Sequence, residues 1–365
     1  MRILELARRV VLALGLTGLA SIFVRSQSNS SQAIQDTHDH WQRVNFSEED
    51  FDGSEAVGEV ALIFGYGLTG RAIEQSLIRS GFRVKLATRS NASDWSAEEI
   101  KQANVDLVVI ATPRRTHTRF ARQALTAGVT VITLSDDLEE CQDLKELSEL
   151  AENNDTSLII GAGLSPGLSC LLAVKAANQL DECSDVVISK AGTAGPACAR
   201  SHHSSLKGKT LNWVDGAWQH GQSGTGRLLH WFPEPIGGRD CYRAALASPL
   251  LLRPFLEVPK IRARLAANRR DRLTSRLPML RPPHTDGGPA GIRVEANGES
   301  DGASSTVVYG VSGSPSYISA EVVAAVAELQ LSHELPRGAY GLAGLRSTDE
   351  VLAAVAGAGI RVFRY

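Results

Sequence analysis

The chain has 365 residues, 43% of them hydrophobic and 21% charged, which suffices for two domains and a substantial buried core. Its formal net charge of −2 provides no global field that would draw it to nucleic acid. Its five cysteines (Cys141, Cys170, Cys183, Cys198 and Cys241) are scattered without CxxC or Cys/His spacing, which argues against a zinc site or a disulfide framework and reads as the reduced thiols of a cytoplasmic protein.

Residues 1–56 stand apart as an apolar segment followed by a linker. Arg2, Arg8 and Arg9 precede an apolar run from Val10 to Val24, interrupted by Gly15, Thr17, Gly18 and Ser21. The run is short for a membrane span. Its order of charged and apolar regions resembles a signal peptide, but Ala20-Ser21-Ile22 makes a poor cleavage site because Ile22 is bulky. Three readings compete: a tail added by an upstream start codon, a helix weakly associated with a membrane surface through residues 1–25, and an export signal. The last ranks lowest, because the cofactor expected below belongs to a cytoplasmic pool.

From residue 57 to about 164, strand and helix signals alternate. Val60–Phe64 reads as a strand and Leu68–Ser80 as a helix; between them stands Gly65-Tyr66-Gly67-Leu68-Thr69-Gly70. A GxGxxG between a strand and a helix predicts a dinucleotide site. The first glycine permits the turn, the second lets a pyrophosphate approach, and the third lets helix and strand pack closely. Free N–H groups and the positive end of the helix dipole then face the phosphates. The alternative is a glycine turn that only packs the domain.

The next strand, Arg83–Ala87, ends in Thr88-Arg89-Ser90-Asn91, with no acid before Asp94. A ribose 2′-hydroxyl is normally held here by Asp or Glu. A guanidinium instead pairs with a 2′-phosphate, so Thr88, Arg89 and Ser90 predict NADP(H) over NAD(H). A short helix over Ser96–Ala103 follows, with Ser96 as N-cap and Glu98 and Glu99 in its first turn. Asp106–Ala111 is a nearly continuous apolar run, suited to a parallel strand buried on both faces. It stops at Thr112-Pro113, so Ala111, Thr112 and Pro113 are expected beside the nicotinamide ribose. A helix over 116–127, a strand over Val129–Leu134, a helix over Leu138–Asn153 and a strand over Ser157–Gly161 complete a βαβαβ pattern. Together these predict an α/β fold: a Rossmann doubly wound parallel sheet, followed by an α+β substrate domain with an open sheet.

Gly161-Ala162-Gly163-Leu164-Ser165-Pro166-Gly167 is a second glycine-rich turn. Ser165 can cap a helix and Pro166 suits its first position. Both are expected on the nicotinamide side of the cleft, with a hinge into the second domain as the alternative. That domain, 165–317, has strand signals at Val186–Gly192, Arg293–Ala296 and Thr306–Val311. Residues 318–365, with helices at Ser319–Leu331 and Thr348–Gly357 and a strand at Ile360–Phe363, are expected to pack back on the first domain.

Hydride transfer asks the protein for orientation and for one group that manages a proton. The candidates for that group are His202, His203, His230, Lys190, Asp240 and Tyr242. Asp240, Tyr242 and His203 are the expected catalytic set. Adjacent His202 and His203 point different ways on a helix or strand, so no metal site is expected. Trp231 offers an apolar floor for a substrate; Glu234 or Asp240 can accept an ammonium, and Arg239 or Arg243 can hold a carboxylate. The alternative for this stretch is a loop shaped by Pro and Gly, with core aromatics and surface charges. Seven arginines against one acid, Asp271, lie between Arg262 and Arg281, with Arg262, Arg269 and Arg276 at heptad spacing. This suits either a solvated basic helix or an anion site.

The glycine turn at Gly65, Ala111-Thr112-Pro113, Gly163-Leu164-Ser165-Pro166-Gly167 and Trp231-Phe232-Pro233-Glu234-Pro235 occur in an order that resembles saccharopine dehydrogenase (reductase)-like proteins. The resemblance implies an NADP(H)- or NAD(H)-dependent oxidoreductase acting on a small polar substrate, an imine or secondary amine derived from an amino acid. A homodimer in the cytoplasm is expected; the alternative to an oxidoreductase is a non-catalytic NADP(H)-binding sensor or scaffold. Ile110-Ala111-Thr112-Pro113 and His117 also resemble Gfo/Idh-type oxidoreductases. The likeness fails where their Glu-Lys-Pro is replaced by Leu134-Ser135-Asp136-Asp137, which removes the lysine those enzymes use.

Overall fold

The computed structural model describes residues 58–365 apart from 280, 281 and 333. The readings of residues 1–56 therefore lie outside the described residues. Among the described residues no helix is long and apolar enough to cross a membrane.

Five strands, β1 (Val60–Phe64), β2 (Arg83–Ala87), β3 (Leu107–Ile110), β4 (Thr130–Thr133) and β5 (Ser157–Ile160), alternate with helices α1 (Leu68–Arg79), α2 (Ala97–Gln102), α3 (His117–Thr126), α4 (Leu138–Lys145) and α5 (Ser148–Asn153). Every residue of β1, β3, β4 and β5 is buried. Helices cover both faces of a parallel sheet, so these strands are buried and mostly apolar rather than alternating, with Thr130, Thr133 and Ser157 as their polar members. The helix expected over Leu138–Asn153 is two, α4 and α5, interrupted at Glu146 and Leu147. Ser96 caps α2 through a reciprocal capping box with Glu99.

The chain then passes through α6 (Leu168–Ala177) into β6 (Glu182–Ala191), α7 (Pro196–Ser205), β7 (Lys209–Val214), β8 (Ala217–Gln222), β9 (Leu228–Phe232), β10 (Gly237–Arg243), α8 (Ser248–Leu252), β11 (Lys260–Ala266), α9 (Arg269–Leu273) and the hairpin β12 (Ala290–Ser300) and β13 (Ala303–Gly313). It closes with α10 (Pro315–Leu331), β14 (Gly338–Gly341), α11 (Thr348–Gly357) and β15 (Val362–Arg364). The basic stretch does not form one helix: Arg262 lies on β11 and pairs with Asp185, and α9 spans only Arg269–Leu273. The heptad spacing of Arg262, Arg269 and Arg276 therefore marks no helix face.

Two sheets result. The first has six parallel strands in the order β14-β5-β4-β3-β1-β2. The second is mixed, in the order β15-β13-β12-β6-β11-β10-β9, with β7 and β8 appended. The last segment serves both sheets, since β14 extends the first beside β5 and β15 pairs with β13 in the second. Helix α10 lies along α1, where Ser76 donates to Glu321 at 2.8 Å and Ser80 to Glu328 at 2.9 Å.

Helix α6 packs on β6, β12 and β13. Side chains alternate across a strand, so Val186, Ile188 and Lys190 of β6 point to this covered face, while Val187, Ser189 and Ala191 point to the opposite one. Val186 and Ile188 join the core with Ile292, Val294, Val307 and Val311. Each such side chain contributes about 1.5–3 kcal/mol by leaving water. Lys190 ends this apolar row, on the central strand of the second sheet.

Candidate functional site

The glycine turn divides its tasks among three positions. Gly65 has φ +99°, and a Cβ there would lie 2.6 Å from the Ala111 carbonyl oxygen. Gly65 N–H also donates to the Ala87 carbonyl, which ties the turn to the end of β2. A Cβ at Gly70 would come within 2.0 Å of the Gly65 carbonyl. A Cβ at Gly67 would meet nothing within 4 Å. Packing thus demands glycine at Gly65 and Gly70, but leaves Gly67 facing open space, where a pyrophosphate would approach. Helix α1 has no side-chain cap and no acid in its first turn. Its positive end is left to an anion, and Leu68 and Thr69 are its first residues. The residues present fit a dinucleotide.

Beyond β2, the backbone N–H of Thr88 donates to Asn91 Oδ1 at 2.7 Å, and the Thr88 and Ser90 hydroxyls bond each other at 2.8 Å. This local network shapes the loop, while Arg89 is exposed and no described residue forms an ion pair with it. A free guanidinium lies one strand from the glycine turn.

A cleft opens at the carboxyl ends of β3, β4 and β5. Thr112, Pro113 and Arg114 follow β3; Leu134, Ser135 and Asp136 follow β4; Gly163 to Pro166 follow β5. Thr69 of α1 and Ala111 reach its edge. The far wall comes from the second sheet: Lys190 and Ala191 of β6, then Gly192 to Ala194, with Ala197, Cys198 and Ser201 of α7. The turn before α6 differs from expectation. Gly167, at φ +122°, is the N-cap and the helix starts at Leu168, so Pro166 precedes the helix instead of opening it.

Inside the cleft, Lys190 Nζ donates to Asp136 Oδ2 at 3.0 Å and to the Ser165 carbonyl at 3.4 Å. Ser201 donates to Asp136 Oδ1 at 2.5 Å. The side chains of Lys190 and Asp136 are only 10% and 20% exposed. Burial alone would push the ammonium below its ordinary range, but the Asp136 carboxylate overrides it and holds Lys190 above that range. Burial likewise works to raise Asp136, and Lys190 with Ser201 holds it below the usual carboxylate range. Both groups are therefore charged at neutral pH.

Beneath the cleft, Glu140 Oε1 accepts from the His117 backbone N–H at 2.8 Å and Oε2 accepts from Ser135 at 2.8 Å. His117 Nε2 donates to the Thr112 carbonyl at 2.9 Å. Burial lowers the His117 pKa, which makes the ring neutral, with Nδ1 buried and without a hydrogen-bond partner among the described residues. This network joins the ends of β3 and β4 and fixes the floor of the cleft.

Not all of the residues read from the sequence meet there. Thr69, Ala111, Thr112, Pro113, Ser165 and Pro166 do. Asp240 and Tyr242 lie on β10 and line a separate depression with Arg227, Asn268 and Arg272. Tyr242 is paired with Leu265, and Leu265 with Lys190, so Tyr242 stands two strands from the cleft, roughly 10 Å across the sheet. Asp240 pairs with Arg227 at 2.9 Å. His203 is buried on α7 and does not line the cleft. Burial moves two other histidines down to about 4: His202 donates to the Ala266 carbonyl, and His230 bonds Ser189 on the opposite face of the second sheet. Trp231 is 63% exposed on edge strand β9, and Glu234 and Arg239 are exposed beside it. The three substrate contacts read from the sequence, Trp231, Glu234 and Arg239, therefore do not reach the cleft: the strand order sets β9 and β10 at the far edge of the sheet from the Rossmann strand ends. Among the described residues no group of three or more His, Cys, Asp or Glu is placed to hold a metal. Asp136 and Ser201 were not read as site residues from the sequence. The available signal was Lys190, a lysine on the apolar side of a core strand, since such a charge needs a partner.

No curated protein matches the sequence. Among solved structures, an apo saccharopine dehydrogenase (L-Glu forming) from Saccharomyces cerevisiae shares the fold, with a TM-score of 0.62 at 13% identity over 84% of this chain and 100% of that one. More distant are a DAP dehydrogenase of C. glutamicum in complex with DAP (TM-score 0.44, 14% identity, 81% of this chain and 98% of that one) and an engineered D-amino acid dehydrogenase bound to NADP+ (TM-score 0.45, 13% identity, 80% and 96%). The sequence model of the Gfo/Idh/MocA oxidoreductase family, described as having an NAD-binding Rossmann fold, matches residues 24–162. By that match, and by the α/β architecture that carries it, the protein is an oxidoreductase with an NAD(P)-binding Rossmann domain.

Proposed function

We propose that the protein is an NADP(H)-dependent oxidoreductase that reduces a small polar substrate, an imine derived from an amino acid, or oxidises the corresponding amine. The observation that carries this reading is the cleft itself: it joins the edge of the glycine turn to a buried, charged Lys190–Asp136 pair contributed by the two sheets. A scaffold protein has no need for such a pair in an open cleft, whereas a reductase must manage one proton. The preference for NADP(H) rests on Arg89, which has no ion-pair partner among the described residues, and on the absence of an acid at the end of β2.

In this reading Gly65, Gly67, Leu68, Thr69 and Gly70 hold the pyrophosphate through backbone N–H groups. Thr88, Arg89 and Ser90 hold the 2′-phosphate. Ala111, Thr112, Pro113, Ser165 and Pro166 flank the nicotinamide. The reduced nicotinamide, when bound, supplies a hydride. Arg114 lines the cleft, and although Asp137 pairs with it at 3.1 Å, it is the cleft guanidinium available to a substrate carboxylate. The reading includes a cytoplasmic setting and a homodimer; exposed Leu229 and Trp231 on β9 support self-association.

Calorimetric titration with NADPH and NADH, followed by NADPH oxidation with a cyclic imino carboxylate, tests the reading. Binding of NADPH well ahead of NADH and turnover of the imine are expected. Failure of both nucleotides to bind would refute it.

A further inference from the structure

We propose that Lys190 is the catalytic acid of this oxidoreductase, giving a proton from Nζ to the substrate nitrogen, and that Asp136 and Ser201 are positioning residues that hold it in the cleft. The inference rests on the proposed function and adds the proton-transfer group to it.

Three observations carry it. First, Lys190 occupies a core position: it continues the row of Val186 and Ile188 on the central strand, where an apolar side chain would suffice for packing. A charge placed there destabilises the fold unless its partner is exact, so packing does not explain the residue. Second, the ammonium emerges in the cleft and not in the core, since Lys190, Asp136, Ser165 and Ser201 all line it. Third, the donors are unevenly used. An ammonium has three N–H donors. Two go to Asp136 Oδ2 and the Ser165 carbonyl, and the second of these bonds is long, at 3.4 Å. The third has no acceptor among the described residues, which leaves it for a ligand. Both Asp136 oxygens, by contrast, are occupied, one by Lys190 and one by Ser201. The carboxylate is thereby kept anionic and turned away from proton exchange with substrate. Ser165, whose carbonyl takes the second bond, belongs to the turn expected on the nicotinamide side.

The step balances as follows. Two electrons reach the imine carbon with the hydride, and the C=N double bond becomes a C–N single bond. Lys190 Nζ supplies the proton that the nitrogen then bears, and a proton from water restores the ammonium. In the oxidative direction neutral Lys190 accepts the proton. Because Asp136 holds Lys190 above its ordinary range, Nζ carries its proton at neutral pH, which is the state the reductive direction requires.

The test needs no substrate. An ammonium facing the nicotinamide repels the cationic oxidised ring and is indifferent to the neutral reduced one. In Lys190→Met the repulsion is gone and Asp136 remains, so the ratio Kd(NADP+)/Kd(NADPH) should fall at least tenfold from wild type; a charge pair several ångströms apart in a protein accounts for a change of that size. Lys190→Arg should keep the wild-type ratio. In the wild-type protein, whose folding does not depend on any variant, the same ratio should fall as pH rises through the alkaline range and Lys190 loses its proton. With the imino carboxylate, Lys190→Met should lower kcat about 10²–10⁴-fold with KM nearly unchanged. A ratio that is unchanged in Lys190→Met and flat with pH would overturn the inference while leaving the proposed function standing, as would an undiminished kcat. Absence of binding of either nucleotide by the wild-type protein would overturn both.

Discussion

Replacing Asp136 with Asn removes the charge that holds Lys190 and leaves the amide to fill nearly the same volume. The wild-type pair has a definite pH signature. Lys190 titrates above its unfolded value, so its contribution is complete below that value and is lost as pH rises through the folded one. Asp136 titrates below its unfolded value, so its contribution is complete above that value and is lost as pH falls through the folded one. Between these limits the pair adds no slope. In Asp136→Asn only burial acts strongly on Lys190, and it depresses the pKa. The unfolded chain then binds more protons than the folded one, and stability rises with pH. Breaking a buried pair costs about 3–5 kcal/mol. The ammonium can escape by losing its proton, which at pH 7 costs about 4–5 kcal/mol from an ordinary lysine pKa and about 1.4 kcal/mol less for each higher pH unit. Urea unfolding at pH 6, 7, 8 and 9 should therefore show a loss of about 3–5 kcal/mol at pH 7 that shrinks to about 1–2 kcal/mol at pH 9. A loss below about 1 kcal/mol at pH 7 with no slope would refute the claim that Lys190 depends on Asp136.

The glycines can be separated by two variants. Gly67→Ala should lower stability by no more than about 1 kcal/mol, the cost of losing a glycine N-cap, because its Cβ meets open space, and should weaken NADPH binding at least tenfold. Gly70→Ala should lower stability by about 1–3 kcal/mol, because its Cβ meets the Gly65 carbonyl; an unchanged midpoint would count against the tight turn. Arg89→Ala should weaken NADPH about tenfold and leave NADH unchanged in calorimetry; equal losses for both nucleotides would mean that Arg89 does not read the 2′-phosphate. Glu140→Ala should cost about 2–4 kcal/mol by urea unfolding, since the buried His117 N–H and the Ser135 hydroxyl each lose an acceptor.

Local order made much of the fold legible. β1, β3, β4 and β5 are short runs rich in Val, Ile and Leu, and each of β1 to β5 is followed by its turn and helix, so these five strands could be read one at a time. The glycine turn was legible for the same reason: Gly65, Gly67 and Gly70 act within six residues, and their tasks follow from backbone geometry alone. Thr112, Pro113 and Ser165 could be placed in the cleft because a parallel sheet brings its carboxyl ends together. The break at Glu146 and Leu147 and the start of α6 at Leu168 depended on packing and on the turn at Gly167.

The pairing of sheets was a tertiary decision. Asp136 follows β4 of the first sheet, Lys190 ends β6 of the second, and Ser201 lies on α7; 65 residues separate the first from the last. No local pattern joins them, because a charge pair costs nothing until burial makes each charge dependent on the other. The dense run from Leu229 to Arg243 drew attention in the sequence for its aromatics and charges, yet strand order sends β9 and β10 to the sheet edge, away from the Rossmann strand ends. The sequence by itself determined where a dinucleotide can lie, since that depends on contiguous backbone. Tertiary structure decided which proton-bearing group faces it, since that depends on which strand the second sheet places at its centre.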